Sequence, residues 1–291
     1  MSTFILLLIT GLGLGALYFL VASGLSLIYG LMGVLNFAHG SFLTLSAFAG
    51  WEVGRRIGLD TLTGFLVAIL VGAIVGAIVA ALTEFLLIRP LYERHIEQVL
   101  VTVGLSLATV ALFEGIWGPD PINIQRMPWL IETTTIAGAP VPNSVFIAIG
   151  AAVLVLIGLL VFLRKTRYGL IIRAGVENRS MVTALGIDVR RAFTLVFTIG
   201  GIAAGIGGVL ASNYFGYVSP LMGGSLLIFA FIVTVIGGLG SLAGAAVASI
   251  LVAVLQQFTN YYWGYGDLIV VLLLAVVLLV RPQGLLGRKA A

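Results

Sequence analysis

Cysteine is absent from this sequence, and lysine and histidine occur only twice each among its 291 residues. Without cysteine there is no disulfide framework, thiolate nucleophile, cysteine-ligated zinc or iron–sulfur cluster, and the redox compartment cannot be read. His39 and His95 lie far apart and lack a local metal-ligand pattern, so neither a metal centre nor a cofactor is expected. Neither Lys165 nor Lys289 follows a glycine, which excludes a G-x-x-x-x-G-K-[ST] phosphate loop. No G-x-S-x-G or H-E-x-x-H occurs either. An intramembrane enzyme would need a paired nucleophile and base, and neither histidine has an evident serine or carboxylate partner; catalysis is not expected.

Charge is the other scarcity. Asp, Glu, Lys and Arg make up 9% of the chain, against about a quarter in soluble domains. What fills the space is apolar: 60% of residues, with a mean hydropathy of +1.19. A surface so poor in charge cannot stay in water as a monomer, so the solvent is mostly lipid. The fold class expected is an all-α polytopic membrane protein, with residues 1–291 forming one transmembrane domain.

A helix needs roughly 20 apolar residues to cross the hydrocarbon. Candidate spans are 4–24, 36–53, 64–88, 99–117, 145–163, 193–213, 225–241, 242–259 and 268–280, giving eight or nine crossings. The pair around Gly237–Ser241 could form one bent excursion. The opening MSTFILLLITGLGLGALYFLVAS lacks a basic leader region and is read as a retained first span rather than a signal peptide. Glycine is frequent, with 38 residues. Pairs spaced by four, such as Gly11/Gly15, Gly72/Gly76, Gly201/Gly205 and Gly240/Gly244, let helix backbones approach, and ordinary packing faces account for most of them.

The net charge of +4 is concentrated. Residues 164–191 hold seven bases and two acids, which gives the positive-inside signal of a cytoplasmic loop rather than a nucleic-acid surface. The tail bases Arg281, Arg288 and Lys289 fall on the same side, as does 89–98. Residues 118–144 hold a single base, Arg126, and are expected to be periplasmic, with the N-terminus outside and the C-terminus inside. Arg55 and Arg56 then land outside, against the rule. The outer loop also holds five of the eight prolines, which oppose a regular helix and suit either a stiff spacer or a docking surface.

The basic loop, RKTRYGLIIRAGVENRSMVTALGIDVRRAF, is too long for a simple connector. Asn178 can cap a helix running from Ser180 to Leu185, and Gly186 supplies the left-handed residue that ends one. Val182 and Leu185 would form one apolar edge. Such a short helix suits a docking element for a soluble cytoplasmic subunit; a headgroup anchor would explain only the arginines.

A second unusual stretch, GLMGVLNFAHGSF, places Asn36 and His39 between glycines in otherwise apolar sequence. A broken helix is tolerated at membrane depth only where its freed backbone groups meet protein or a watery cavity. Asn36, His39 and Gly40 could therefore border a translocation path, or Asn36 and His39 could bond between helices. Glu84, Glu114 and Asp267 fall near span ends, where solvated or ion-paired ends account for them, except that Glu84 lies a turn inside Arg89.

Three stretches resemble the permease subunit of ATP-binding-cassette importers for branched-chain amino acids, the LivH type: SLIYGLMGVLNFAHGSF, RYGLIIRAGVENRSMVTALGIDVRR and VIGGLGSLAGAAVASILVAVLQ. EFLLIRPLYER and RPQGLLGR also fit, so the resemblance spans nearly the whole chain in order. It implies a pore subunit in the bacterial inner membrane, paired with a second permease, usually a longer paralogue. It further implies two cytoplasmic ATPase subunits and a periplasmic substrate-binding protein. The coupling role carried over falls on Gly169, Arg173, Ala174, Glu177, Asn178, Ala184, Leu185 and Gly186. The rival expectation is a secondary transporter driven by an ion gradient, using Glu84, Glu114 or Asp267.

Overall fold

The computed structural model describes residues 2–33, 35–177 and 179–287, with the side chains of 176, 177, 179 and 180 also outside the description. Twelve α-helices and four short strands are described: α1 Ser2–Met32, α2 His39–Ile57, α3 Leu62–Thr83, α4 His95–Trp117, β1 Ile122–Asn123, α5 Pro128–Ile131, β2 Thr133–Ile136, β3 Ala139–Pro142, α6 Asn143–Lys165, α7 Arg167–Glu177, α8 Arg179–Ala184, α9 Val189–Phe215, β4 Tyr217–Val218, α10 Met222–Gly237, α11 Leu242–Trp263 and α12 Gly266–Val280. Each of the nine candidate spans overlaps a helix, although 36–53 begins three residues before α2 and 225–241 runs four residues past α10. Among the described residues, six helices are long and apolar enough to cross a membrane, and α10 and α12 are shorter apolar helices.

α1 holds no charged residue and extends well past the span 4–24, its 31 residues reaching about 46 Å. It ends at Gly33, whose φ of 69° lies in the left-handed region and whose N–H reaches the Tyr29 carbonyl at 2.7 Å. The chain then turns back into the bundle. α2 starts beside the middle of α1, because His39 Nε2 lies 3.2 Å from the Val21 carbonyl oxygen. α10 also starts inside the bundle, where the Gly223 N–H donates to Thr44 Oγ1 at 2.9 Å. A Cβ on Gly40 would stand 2.6 Å from the Gly223 carbonyl oxygen, so only two glycines let these helix starts meet.

α1 and α11 run antiparallel, with Gly30 against Gly240 at one end and Phe4 against Phe258 at the other. α3 and α9 form the tightest pair. Gly72 faces Gly205 and Gly76 faces Gly201, with backbone against backbone in both cases. The spaced glycines of these two helices are therefore packing faces.

The two ends of the bundle differ. The N-terminus of α1 packs under the antiparallel β2–β3 hairpin, which pairs Thr134 with Val141, through Ile5, Leu6 and Ile9. β1 pairs antiparallel with β4, Ile122 opposite Val218, and Arg126 Nη1 donates to the Asn213 carbonyl at 3.2 Å. The proline-rich segment is thus tied to α1 and α9 rather than spanning freely between α4 and α6. Exposed Tyr261, Tyr262, Trp263 and Tyr265 lie towards this end, as expected for an aromatic belt at the membrane–water boundary. The opposite end carries α7, α8 and the tail. There the Leu285 and Leu286 N–H groups donate to the Ile236 and Gly237 carbonyls at 2.7 and 3.0 Å. The RPQGLLG tail thereby satisfies the orphan acceptors at the end of α10. Arg55 and Arg56, at the hairpin end, both pair with Glu52, at 2.7 and 2.9 Å, which reduces their local excess of charge.

Candidate functional site

The broken segment is well packed. His39 is fully buried, edge-on to Phe42 with ring centroids 5.7 Å apart, and bonded to α1. Asn36 turns its Oδ1 to the Ala38 N–H at 3.1 Å, closing the turn that leads into α2. Gly40 forms the contact with α10. Asn36 also borders a void of about 10 Å³, shared with Gln98 and Thr102 of α4, while His39 and Gly40 lie where α2 meets α1 and α10.

The cytoplasmic-type loop holds two helices where one short helix was expected. Gly169 lies against the Phe162 and Leu163 backbone, allowing α7 to fold tightly back on α6. Ile172 and Val182 are buried in the core, and Leu31 at the end of α1 fills the space beside Gly175. Arg173 and Ala184 are exposed and Ala174 is half-buried. α8 ends at Gly186, with φ of 78°, and Asp188 caps α9 by accepting from the Arg190 N–H at 3.0 Å. Val182 and Leu185 do not share an edge: Val182 is 4% exposed and Leu185 69%. Tyr168, Leu170 and Met181 are exposed as well, giving this basic surface an apolar component. Asn178 and the side chain of Glu177 lie outside the described residues.

A cleft of about 290 Å³ near the hairpin end is the feature that sequence reasoning missed. Tyr18, Ser219, Gln256 and Asp267 line it together with Leu226 and Phe229. The Tyr18 hydroxyl donates to Gln256 Oε1 at 2.7 Å, and Gln256 Nε2 donates to Asp267 Oδ1 at 2.7 Å. α1, α11 and α12 are thus joined by one polar relay. Tyr18 also stacks on Phe229, at 5.1 Å between centroids. A tyrosine in α1 and the Gln256–Gln257 pair in α11 were the available signals, but nothing local says which polar residues share a side.

Glu84 is fully buried and is not a solvated helix end. It opens a π-helical turn, Glu84–Ile88, and accepts from the Tyr92 hydroxyl and, at 2.6 Å, from Thr194 Oγ1. Arg89 does not pair with it; its guanidinium lies 5.3 Å from the Phe85 ring centroid. The carboxylate therefore fastens the end of α3 to the start of α9, next to the loop. Glu84→Leu removes the acceptor from both hydroxyls and is expected to cost about 1–3 kcal/mol, read as a lower thermal midpoint in detergent. Glu84→Gln keeps an acceptor and should lose less stability.

The sequence profile of the family described as "Branched-chain amino acid transport system / permease component" matches residues 7–281. The chain belongs to this permease family. It is 28% identical to the high-affinity branched-chain amino acid transport system permease protein LivH of Salmonella typhimurium, covering 96% of this chain and 94% of the relative. It is 30% identical to BraD of Pseudomonas aeruginosa, a permease protein of the same kind, over 97% and 95% of the two chains. Similarity extends to LivM of Escherichia coli, 26% identical over 93% of this chain and 68% of the relative. No solved structure matches the permease.

Proposed function

We propose that this permease is one of two membrane subunits of an ATP-binding-cassette importer that carries branched-chain amino acids across a bacterial inner membrane. The observation that carries the reading is the α7–α8 surface. A run of bases surrounds exposed Leu170, Met181 and Leu185 at one end of an apolar bundle, and apolar side chains left in water at such a place suit a protein partner. Two cytoplasmic ATPase subunits would dock there, with the contact including Glu177, Asn178, Ala184 and Leu185. The second permease would be a paralogue of the LivM kind or a second copy. The hairpin end would face the periplasm and receive amino acid from a binding protein.

The mechanical route follows from the packing. α7 presses on Leu31, at the end of α1 that leads into the turn at Asn36 and so to the meeting of α2 and α10. α8 leads into α9, which Glu84 fastens to α3. ATP-driven closure of the docked ATPases would move the loop as a lever and rock these two helix pairs between outward- and inward-facing states. Gly169 and Gly186 shape the loop, and Arg173 and Ala174 lie on the helix that touches α1.

Gentle extraction of the tagged permease should bring down stoichiometric ATPase subunits and a second permease. The reconstituted assembly should take up leucine with ATP while an ionophore dissipates the ion gradients. A lone chain, or uptake abolished by the ionophore, would overturn the reading. The buried carboxylate of Glu84 favours the second reading, a gradient-driven transporter. In that case Glu84→Gln would stop uptake at unchanged stability, whereas the importer reading expects it to retain uptake.

A further inference from the structure

The cleft beside α12 contains an exposed carboxylate, that of Asp267. Asp267 sits in the first turn of α12, and among the described residues no base forms an ion pair with it. Its Oδ1 is held by Gln256, which Tyr18 holds in turn, so the group is oriented and not free to sweep. The other carboxylate oxygen can accept from a ligand. The same cleft holds a hydroxyl. Ser219 is 8% exposed, and its hydroxyl makes no hydrogen bond to the described residues. It stands just before α10, whose first N–H groups are already engaged, Met222's by the Ser219 carbonyl and Gly223's by Thr44 Oγ1. The rest of the lining is mixed: Leu14, Leu226 and Phe229 are apolar, and Ser225, Gln257 and Asn260 add hydroxyl and amide groups. Met222, next to the Gly223–Gly40 contact, also lines the cleft.

A carboxylate, a buried hydroxyl and several apolar side chains lining one cleft complement a zwitterion that carries an apolar side chain. We propose that this cleft is the entry station of the translocation path, where Asp267 accepts from the cargo's ammonium group and the Ser219 hydroxyl donates to its carboxylate. This rests on the importer reading above and adds the site and the polarity of binding to it. Tyr18 and Gln256 are positioning residues, because they act through Asp267. The apolar side chains of the lining accept the cargo's own side chain.

The test uses the complete transporter in proteoliposomes, with radiolabelled leucine as probe and ATP hydrolysis measured in parallel. Asp267→Asn keeps an oxygen acceptor for Gln256 but removes the charge. It is expected to lower leucine uptake at least about tenfold, the scale of one charge-assisted hydrogen bond, while ATP hydrolysis stimulated by the loaded binding protein persists. Asp267→Glu should recover part of the uptake. Ser219→Ala, which leaves the acid in place, should raise the KM for leucine several-fold with little change in kcat. Wild-type uptake in Asp267→Asn would overturn the proposal. So would loss of stimulated hydrolysis in step with uptake by an intact assembly, because that would make Asp267 a contact for the binding protein. An Asp267→Asn assembly that fails to form would overturn the assigned charge role unless Ser219→Ala shows the KM shift. Absence of ATP-dependent uptake in the wild-type transporter would instead overturn the importer reading, so the two failures are distinguishable.

Discussion

Leu185→Asp is expected to abolish leucine uptake and binding-protein-stimulated ATP hydrolysis, each by more than about tenfold, in a chain that still folds and inserts. Leu185 is 69% exposed, so its replacement costs the isolated permease little. In the assembled importer the same side chain would be covered by the ATPase, where burying a leucine contributes about 1.5–3 kcal/mol. An aspartate there loses that contribution and must also be desolvated without a partner, so the penalties add. Glu177→Arg is expected to fail in the same way. Val182→Asp is the contrast: at 4% exposure it places a charge in the core and should destabilise the permease itself. ATP hydrolysis by purified assemblies, alongside uptake and size-exclusion profiles, separates the two effects. Normal coupling in Leu185→Asp would remove α8 from the docking surface.

Gly201→Leu should eliminate the folded permease. A Cβ at Gly201 would collide with the Gly76 carbonyl oxygen, and one at Gly76 with that of Gly201. Both obstacles are backbone, so neither can rotate aside. Close packing is what drives helix association where lipid is as apolar as the side chains. Even Gly201→Ala forces α3 from α9 and should cost about 1–3 kcal/mol, the usual range for overpacking. Leucine adds bulk that no relaxation of a single helix can absorb, and the expected readout is aggregated or degraded protein. Gly104→Ala and Gly158→Ala are the controls. An added Cβ meets nothing at either site, so the thermal midpoint should move little. A monodisperse Gly201→Leu preparation would show that the α3–α9 contact is dispensable.

Several features were legible because they depend on local composition. The absence of charge over the first 51 residues marks membrane sequence wherever the helix ends are placed. Gly186 ends α8, as expected from its conformational freedom, and the basic run marks one end of the bundle. The orientation of Val182 and Leu185 was not legible. A six-residue helix between two longer ones has its facing set by neighbours, not by its own periodicity. Glu84 stood apart from the other span-end acids by its place a turn inside Arg89, but nothing local names its partner Thr194, which lies 110 residues away.

The sequence alone determined that this is a helical membrane protein with one basic end, a broken segment after α1 and a structured loop after α6, because each depends on residues adjacent in the chain. Only the tertiary structure decided where α2 and α10 begin in the depth of the bundle, and that Tyr18, Gln256 and Asp267 form one relay. Tyr18 and Gln256 are 238 residues apart. Helices apolar on every side carry no periodic signal separating the lipid face from the packed face. Which polar residues meet was therefore fixed by the glycine contacts that bring the backbones together.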